Sequence, residues 1–126
     1  MEQDEKKEEQ IGIPYFRVVW HKETQSDFSK INSDIAEKII ENTNHKLSRA
    51  PLYIGEPLKG TSNRLWKVSY SKYRIVYTIN QSAKEVIILS VQKREIVYKK
   101  NHIINLLNLA IALQEEAKQN KPPQKK

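Results

Sequence analysis

The stretch YRIVYTI, residues 73–79, decides the fold, because it has the alternation of a strand with one apolar face and one mixed face. Tyr, Ile and Val are frequent in strands, and successive side chains point to opposite faces of a sheet. The preceding stretch LWKVSYS, residues 65–71, alternates in the same way, so the two predict an antiparallel hairpin with a tight turn at Ser71 and Lys72. Arg74 stands second in the later strand, and an arginine is costly to bury without a partner. The sequence therefore raises the question of what Arg74 binds.

The predicted turn sorts the side chains of this hairpin by face. It pairs Tyr70 with Tyr73, Ser69 with Arg74 and Lys67 with Val76. One face collects an almost wholly apolar set: Trp66, Val68, Tyr70, Tyr73, Ile75, Tyr77 and Ile79. The other face collects Leu65, Lys67, Ser69, Arg74, Val76 and Thr78. We expect helices against the first face and Arg74 near Lys67 on an open second face.

The rest of the chain predicts a small α+β domain. PYFRVVW from Pro14 suits a first strand, and helical spacing between Thr24 and Pro51 indicates a helical hairpin or one bent helix. Residues 49–64 hold two glycines and two prolines and are expected to form a connector between the helices and the hairpin. The stretch EVIILSVQ (85–92) is a candidate central strand. The stretch HIINLLNLAIALQEEAK (102–118) predicts a C-terminal helix. The predicted fold is a small antiparallel sheet of about four strands, with two helices from the N-terminal half and a C-terminal helix.

The length of 126 residues predicts one domain, which we place at residues 11–117. Residues 1–10 predict a disordered acidic tail, and residues 118–126 a disordered basic tail. No apolar run is long enough for a membrane span and the N-terminus does not have the pattern of a signal peptide, so we expect a cytoplasmic protein without membrane contacts. The chain has no cysteine, and its histidines, His21, His45 and His102, are too far apart in sequence to share a helix face as metal ligands.

The positive charge of the chain is concentrated in its second half. Residues 11–58 balance six Lys/Arg against six Asp/Glu, whereas residues 59–100 carry ten Lys/Arg against two Asp/Glu, a local net charge of +8. Such a region is typical of proteins that bind nucleic acid or an acidic protein segment, although a solvated basic surface has the same composition.

The strand at 85–92 is expected to run on into KREIVYKK, residues 93–100. Arg94 and Tyr98 have the same parity there, so they would reach the open face that holds Lys67 and Arg74. The sequence shows no carboxylate pair, Ser-His-Asp arrangement, metal motif or glycine-rich phosphate loop, so we expect a metal-independent site without a cofactor.

Four segments in this order carry a resemblance to a known family. They are GEPLKG (55–60), LWKV (65–68), YRIVY (73–77) and KREIVY (93–98). Together with the element order they resemble the RelE/ParE superfamily of type II toxin–antitoxin toxins, and the RelE branch most. The resemblance implies a ribosome-dependent endoribonuclease that cleaves mRNA in the A site, inhibits translation and is held inactive by an antitoxin.

The resemblance also implies roles for single residues. Arg74 and Lys67 would stabilise charge, Tyr98 would take the proton of the 2′-hydroxyl, and Arg94 would lie at the leaving oxygen. Six further cations are expected to bind the RNA: Lys59, Arg64, Lys72, Lys93, Lys99 and Lys100. The implied partners are a cognate antitoxin, the ribosome with its mRNA, and operator DNA through the antitoxin complex.

The sequence departs from the family pattern at two positions on the mixed face. Ser69 stands where many relatives have an arginine, and Leu65 where a further lysine is common. Two alternatives therefore stay open: an inhibitor of DNA gyrase like the ParE branch, and a degenerate, non-catalytic member that binds antitoxin and operator DNA. The C-terminal helix is apolar over much of its circumference, which suits core packing or a partial interface with an antitoxin.

Overall fold

A computed structural model of the chain describes residues 15–119. The predicted N-terminal tail, residues 11–14 of the predicted domain and residues 120–126 of the predicted C-terminal tail lie outside this range. The elements are β1 (Arg17–Trp20), α1 (Thr24–Phe28), α2 (Ser33–Arg49), α3 (Pro51–Ile54), β2 (Glu56–Pro57), β3 (Trp66–Tyr70), β4 (Tyr73–Asn80), β5 (Glu85–Lys93), α4 (Arg94–Val97) and α5 (Lys100–Gln119). The α+β class predicted from the sequence is confirmed.

The strands form one mixed sheet in the order β1-β5-β4-β3-β2. β5 lies between two neighbours, as the apolar character of both its faces predicts. The prediction of a wholly antiparallel sheet is wrong at β1, which runs parallel to β5. Helices and three other strands separate these two strands in sequence, and that long connection lets the chain return in the parallel direction. The fifth strand is the two-residue β2, in the segment expected to connect.

The β3–β4 hairpin has the register that the alternation predicts. Ser69 lies opposite Arg74, Lys67 opposite Val76, and Tyr70 opposite Tyr73. Ser71 has a φ of 55°, the positive value that a two-residue hairpin turn requires at its first position. This register fixes which side chains of both strands face the same way.

The helices of the N-terminal half are two separate elements. Residues 29–32 separate α1 from α2, and the side chain of Asn32 caps α2 by accepting a hydrogen bond from the Asp34 amide at 2.8 Å. α2 ends at Arg49, before Pro51 as predicted, and Pro51 opens the short α3 at a position where its missing N–H is harmless. The predicted C-terminal helix is confirmed as α5.

Each face of the sheet has its own core. The inner face packs the predicted apolar set of the hairpin with residues of α2 such as Ile39 and Leu47. The outer face packs a second cluster against α5: Leu58, Leu65, Val76, Leu89, Val97, Leu106 and Ala110. The expectation of an open outer face is therefore wrong for about half of that face, because α5 covers it. Lys67, Ser69 and Arg74 remain partly or fully exposed.

Candidate active site

The part of the outer face that α5 leaves uncovered lies near the β3–β4 turn. Lys67 and Ser69 point outward from β3, and Arg74 points outward from β4 opposite Ser69. Gln92 continues this row on β5, because it pairs with Arg74. We call the region around Lys67, Arg74, Arg94 and Tyr98 the basic corner.

Lys67 has a carboxylate partner that sequence reasoning missed. Its Nζ lies 2.8 Å from Oε1 of Glu56, which stands opposite it on β2. The hydrogen bond to Glu56 raises the pKa of Lys67, partial burial opposes the rise, and an interaction with the Tyr98 hydroxyl adds to it. The ammonium group of Lys67 is therefore charged at neutral pH and lies beside Tyr98.

Glu56 belongs to this site although the sequence analysis placed it in a connector. The hydrogen bond from Lys67 lowers the pKa of Glu56, so its carboxylate is ionised at neutral pH. The Glu56 side chain is 74% exposed, which leaves it accessible to a substrate. The position of Glu56 next to Lys67 follows from the pairing of the two-residue β2 with β3. A strand that short has no periodicity to detect in the sequence.

Arg74 contacts backbone carbonyls of the turn. Its Nη1 donates hydrogen bonds to the carbonyl oxygens of Ser71 and Tyr73, each at 3.0 Å. These acceptors are neutral, so the contacts orient the guanidinium without cancelling its charge. The side chain is half-buried, and the guanidinium lies at the edge of the open surface.

Arg94 and Tyr98 reach the basic corner by a different route from the one predicted. β5 ends at Lys93 and the chain turns into α4, so the argument from shared strand parity is wrong. The backbone N–H of Arg94 donates to the carbonyl of Lys72 at 3.1 Å, which fastens α4 to the hairpin turn. Tyr98 follows α4 and is 40% exposed, and its hydroxyl interacts with Lys67. The helical turn thus brings both residues toward the hairpin.

The six cations expected to bind RNA fall into two groups. Four lie at the end of the sheet that carries the basic corner. Lys99 and Lys100 follow Tyr98 at the start of α5, whereas Lys93 pairs with Tyr73 and Lys72 Nζ lies 5.8 Å from the centre of the Tyr73 ring, so these two are on the side of the inner face. Lys59 and Arg64 lie in the loop at the other end of β3, where Arg64 Nε donates to Gln114 of α5 at 3.4 Å. At about 3.3 Å per strand residue, that loop is roughly 20 Å from the hairpin turn.

A second polar group, which no sequence pattern predicts, lies beside this site. Ser90 Oγ is 3.1 Å from Nε2 of His102, and Asp27 on α1 lies close enough to affect the charge of His102. Burial lowers the pKa of His102 and raises that of Asp27. Asp27 accepts hydrogen bonds from the Val91 amide and the Gln92 side chain, and Ser90 is fully buried, so the group does not have the arrangement of a nucleophilic triad.

Residues 15–119 carry neither a metal-ligand cluster nor a membrane-spanning helix. In this range no group of three or more His, Cys, Asp or Glu side chains could hold a metal ion. Over the same residues no helix has both the length and the apolar character that crossing a membrane requires. The basic corner itself is made of cations, one phenol and one carboxylate.

Comparison with known proteins gives consistent matches. Residues 18–98 match the family model described as the ParE toxin of the type II toxin–antitoxin system parDE. Toxin RelG of Mycobacterium tuberculosis is 30% identical over 74 residues, which cover 59% of this chain and 85% of that protein.

Three solved structures of toxins have a similar fold. The RelBE2 toxin–antitoxin complex of M. tuberculosis contains a chain that superposes with a TM-score of 0.59 at 29% identity, covering 66% of this chain and 94% of that one. An isolated E. coli RelE toxin gives a TM-score of 0.52 at 20% identity, over 75% of this chain and 98% of that one. A double mutant of E. coli RelE in the free state gives a TM-score of 0.54 at 19% identity, covering 64% of this chain and 85% of that one. The E. coli structures establish similarity of fold.

Proposed function

This chain belongs to the ParE toxin family of type II toxin–antitoxin systems, and from that premise we propose that its basic corner cleaves mRNA in the ribosomal A site and so inhibits translation. The observation that carries the proposal is the placement of Lys67 beside both Glu56 and Tyr98, on a surface shared with Arg74. Cations next to a proton acceptor are what cleavage of RNA by its own 2′-hydroxyl requires.

The proposed reaction needs no metal and no cofactor. The 2′-oxygen gives up its proton and attacks the neighbouring phosphorus, the bond to the 5′-oxygen breaks, and the leaving 5′-oxygen takes a proton from water. The products are a 2′,3′-cyclic phosphate and a 5′-hydroxyl end. Negative charge builds up on the phosphate oxygens during the attack, and Lys67 and Arg74 would stabilise it. Arg94 would stabilise charge at the leaving oxygen, where its guanidinium would act as a fixed positive charge.

Two groups can accept the proton of the 2′-hydroxyl. Tyr98 is suited by its position, because its hydroxyl interacts with the Lys67 ammonium. Glu56 is suited by its charge, because its carboxylate is already ionised. Loss of cleavage in Tyr98→Phe with activity kept in Glu56→Gln would assign the acceptor to Tyr98, and the reverse pattern would assign it to Glu56.

Dependence on the ribosome is part of the proposal. The basic corner lies on the exposed surface of a sheet, and a surface alone positions a flexible RNA poorly. Holding the reacting groups in line contributes several kcal/mol to a reaction of this kind, roughly 7–11 in the best cases. The ribosome would supply that orientation, so cleavage of free RNA should be weak. The proposed location is accordingly cytoplasmic, with the translating ribosome.

A cognate antitoxin is the proposed regulatory partner. The similar M. tuberculosis chain was solved in a toxin–antitoxin complex. In this chain the exposed cations around the basic corner suit an acidic segment, and Ile104 of α5 is 44% exposed, which suits the apolar side of such a segment. Operator DNA would be reached through the antitoxin complex.

Pulse labelling in cells separates the proposal from its alternatives. Induction of the chain should stop amino-acid incorporation first and leave thymidine incorporation intact over the first minutes. Early arrest of thymidine incorporation would favour a gyrase inhibitor. Normal growth with a stably produced chain would favour the degenerate, non-catalytic alternative, in which Ser69 replaces a needed arginine.

A further inference from the structure

Gln92 lies on the same row as Arg74 and has a partner that fixes it. Its Nε2 donates to Asp27 Oδ1 at 2.7 Å, and Asp27 Oδ2 accepts the backbone N–H of Val91 at 2.9 Å. β1 ends at Trp20, opposite Ile88, so Asp27 takes the place of a neighbouring strand for the next part of β5. Asp27 therefore holds both the backbone and the side chain of this strand end.

This contact fixes the polarity of the Gln92 carboxamide. Both carboxylate oxygens of Asp27 accept hydrogen bonds, one of them from Gln92, so the nitrogen end of the amide points toward Asp27. One N–H of Gln92 is used in that contact, and the second N–H and the carbonyl oxygen remain. Gln92 is half-exposed and stands directly opposite Arg74 on β4.

A donor beside an acceptor on one planar amide matches one base edge in particular. Glutamine binds adenine by accepting from the N6 amino group and donating to N7. Unpaired RNA bases are commonly read by such contacts to their edges. A cavity of about 340 Å³ opens on Asp27 and Ser90, with Ser26 and Asn105 among its polar lining groups, and Gln92 lies outside its lining.

We propose that Gln92, held in one orientation by Asp27, reads an adenine in the nucleotide whose phosphate lies at Arg74. The inference rests on the proposed function and adds a base preference to it. Gln92 contacts the substrate, whereas Asp27 is a positioning residue that acts through Gln92. Freed from Asp27, the amide could turn over and present its donor and acceptor in the reverse order, and the preference for adenine would fall.

The test compares programmed ribosomes that differ in one base of the A-site codon. The wild-type chain should cleave the best adenine-containing codon roughly ten-fold or more faster than the matched codons with G, C or U at that position. Gln92→Leu should bring this ratio close to one, and Asp27→Asn should reduce it. Gln25→Leu, a glutamine on the same helix as Asp27, should leave the ratio unchanged. A general loss of structure would slow all codons together, so the ratio reports positioning.

Nucleotide binding keeps the inference testable if the chain cleaves nothing. In that case the proposed function fails, and 5′-AMP and 5′-UMP are titrated against the ¹⁵N-labelled chain. A larger shift of the Gln92 side-chain amide with AMP, lost in Asp27→Asn, would support an adenine subsite. Equal shifts with both nucleotides would overturn it, as would an active enzyme whose base preference is absent or persists in Gln92→Leu.

Discussion

Two halves of the outer sheet face differ in what lies over them. The covered half holds Leu65, Val76, Thr78 and Leu89, all buried, and α5 packs against it. The open half holds Lys67, Ser69, Arg74 and Gln92, all at least partly exposed. Both halves come from the same three strands. The side chains change from apolar to polar at the border of the area that α5 covers, so the sequence of the strands matches the packing of the helix.

The irregularity in β5 lies where the two halves meet. The register between β4 and β5 shifts between Val76 and Tyr77, which leaves Leu89 as an extra residue. Bulges redirect side chains, and here Leu89 packs under α5 while Ser90 contacts His102. Beyond this point the outward positions of β5 lead to Gln92 and the basic corner.

Truncation in the covered half should have the largest effect on stability. Leu89→Ala removes a fully buried side chain under α5, and such changes cost about 2–5 kcal/mol of unfolding free energy. Urea denaturation of the variant would measure this loss. Ser69→Ala is the matched change in the open half and should alter the free energy by less than about 0.5 kcal/mol. Similar losses for both variants would remove the distinction between the halves.

Removing a cation from the open half should reduce activity and leave stability almost unchanged. Lys67→Met keeps most of the side-chain volume and should lower A-site cleavage by about 10²–10³-fold, in the range seen when one preorganised charge stabiliser is lost. Lys38→Met is the control, because Lys38 is exposed on α2, which packs against the inner face of the sheet. An equal loss in both variants would mean that overall charge, and not the basic corner, determines cleavage.

A buried hydroxyl gives a smaller test of the covered half. Thr78 Oγ1 is buried and has no hydrogen-bond partner among residues 15–119. Thr78→Val keeps the shape and removes this unpaired group, so it should leave stability unchanged or raise it by about 1 kcal/mol. Thermal unfolding would measure the change. A loss of more than about 1 kcal/mol would show that the hydroxyl has a partner in solution.

The smallest effect is expected from pH at the boundary between the halves. Burial lowers the pKa of His102 below its usual value of 6.5, so the folded protein binds fewer protons than the unfolded chain. The contribution of His102 to stability is present at neutral pH and is lost as the pH falls below about 6.5. The unfolding free energy of His102→Gln should therefore fall less steeply between pH 7 and 5 than that of the wild type. An equal slope for both proteins would contradict the assignment.

The parts of the fold that depend on local pattern could be predicted from the sequence. The alternation in β3 and β4 fixes the hairpin register, because a shift by one residue would expose Trp66, Tyr73 and Tyr77. The parallel pairing of β1 and the two-residue β2 depend on contacts distant in sequence, and no local pattern encodes them. α5 was predicted as a helix, but the face that it covers follows only from tertiary packing.

The candidate site was predictable to the same extent. Lys67 and Arg74 were placed on one face by strand parity, which the structure bears out. Arg94 and Tyr98 were assigned to a strand, whereas a helical turn carries them. Glu56 and Gln92 could not be predicted, because the place of each in the site depends on a partner on another element. The partner is Lys67 for Glu56 and Asp27 for Gln92. The catalytic and RNA-binding roles of all these residues stay predictions.

One measurement tests the central claim most directly. The purified chain and its Arg74→Ala form are added to ribosomes programmed with a defined codon in the A site, and the mRNA ends are mapped. The proposal predicts cuts within that codon by the wild-type chain and a loss of about 10²–10³-fold in the variant. Intact mRNA with the wild-type chain, or equal cleavage by both proteins, would contradict the role proposed for the basic corner.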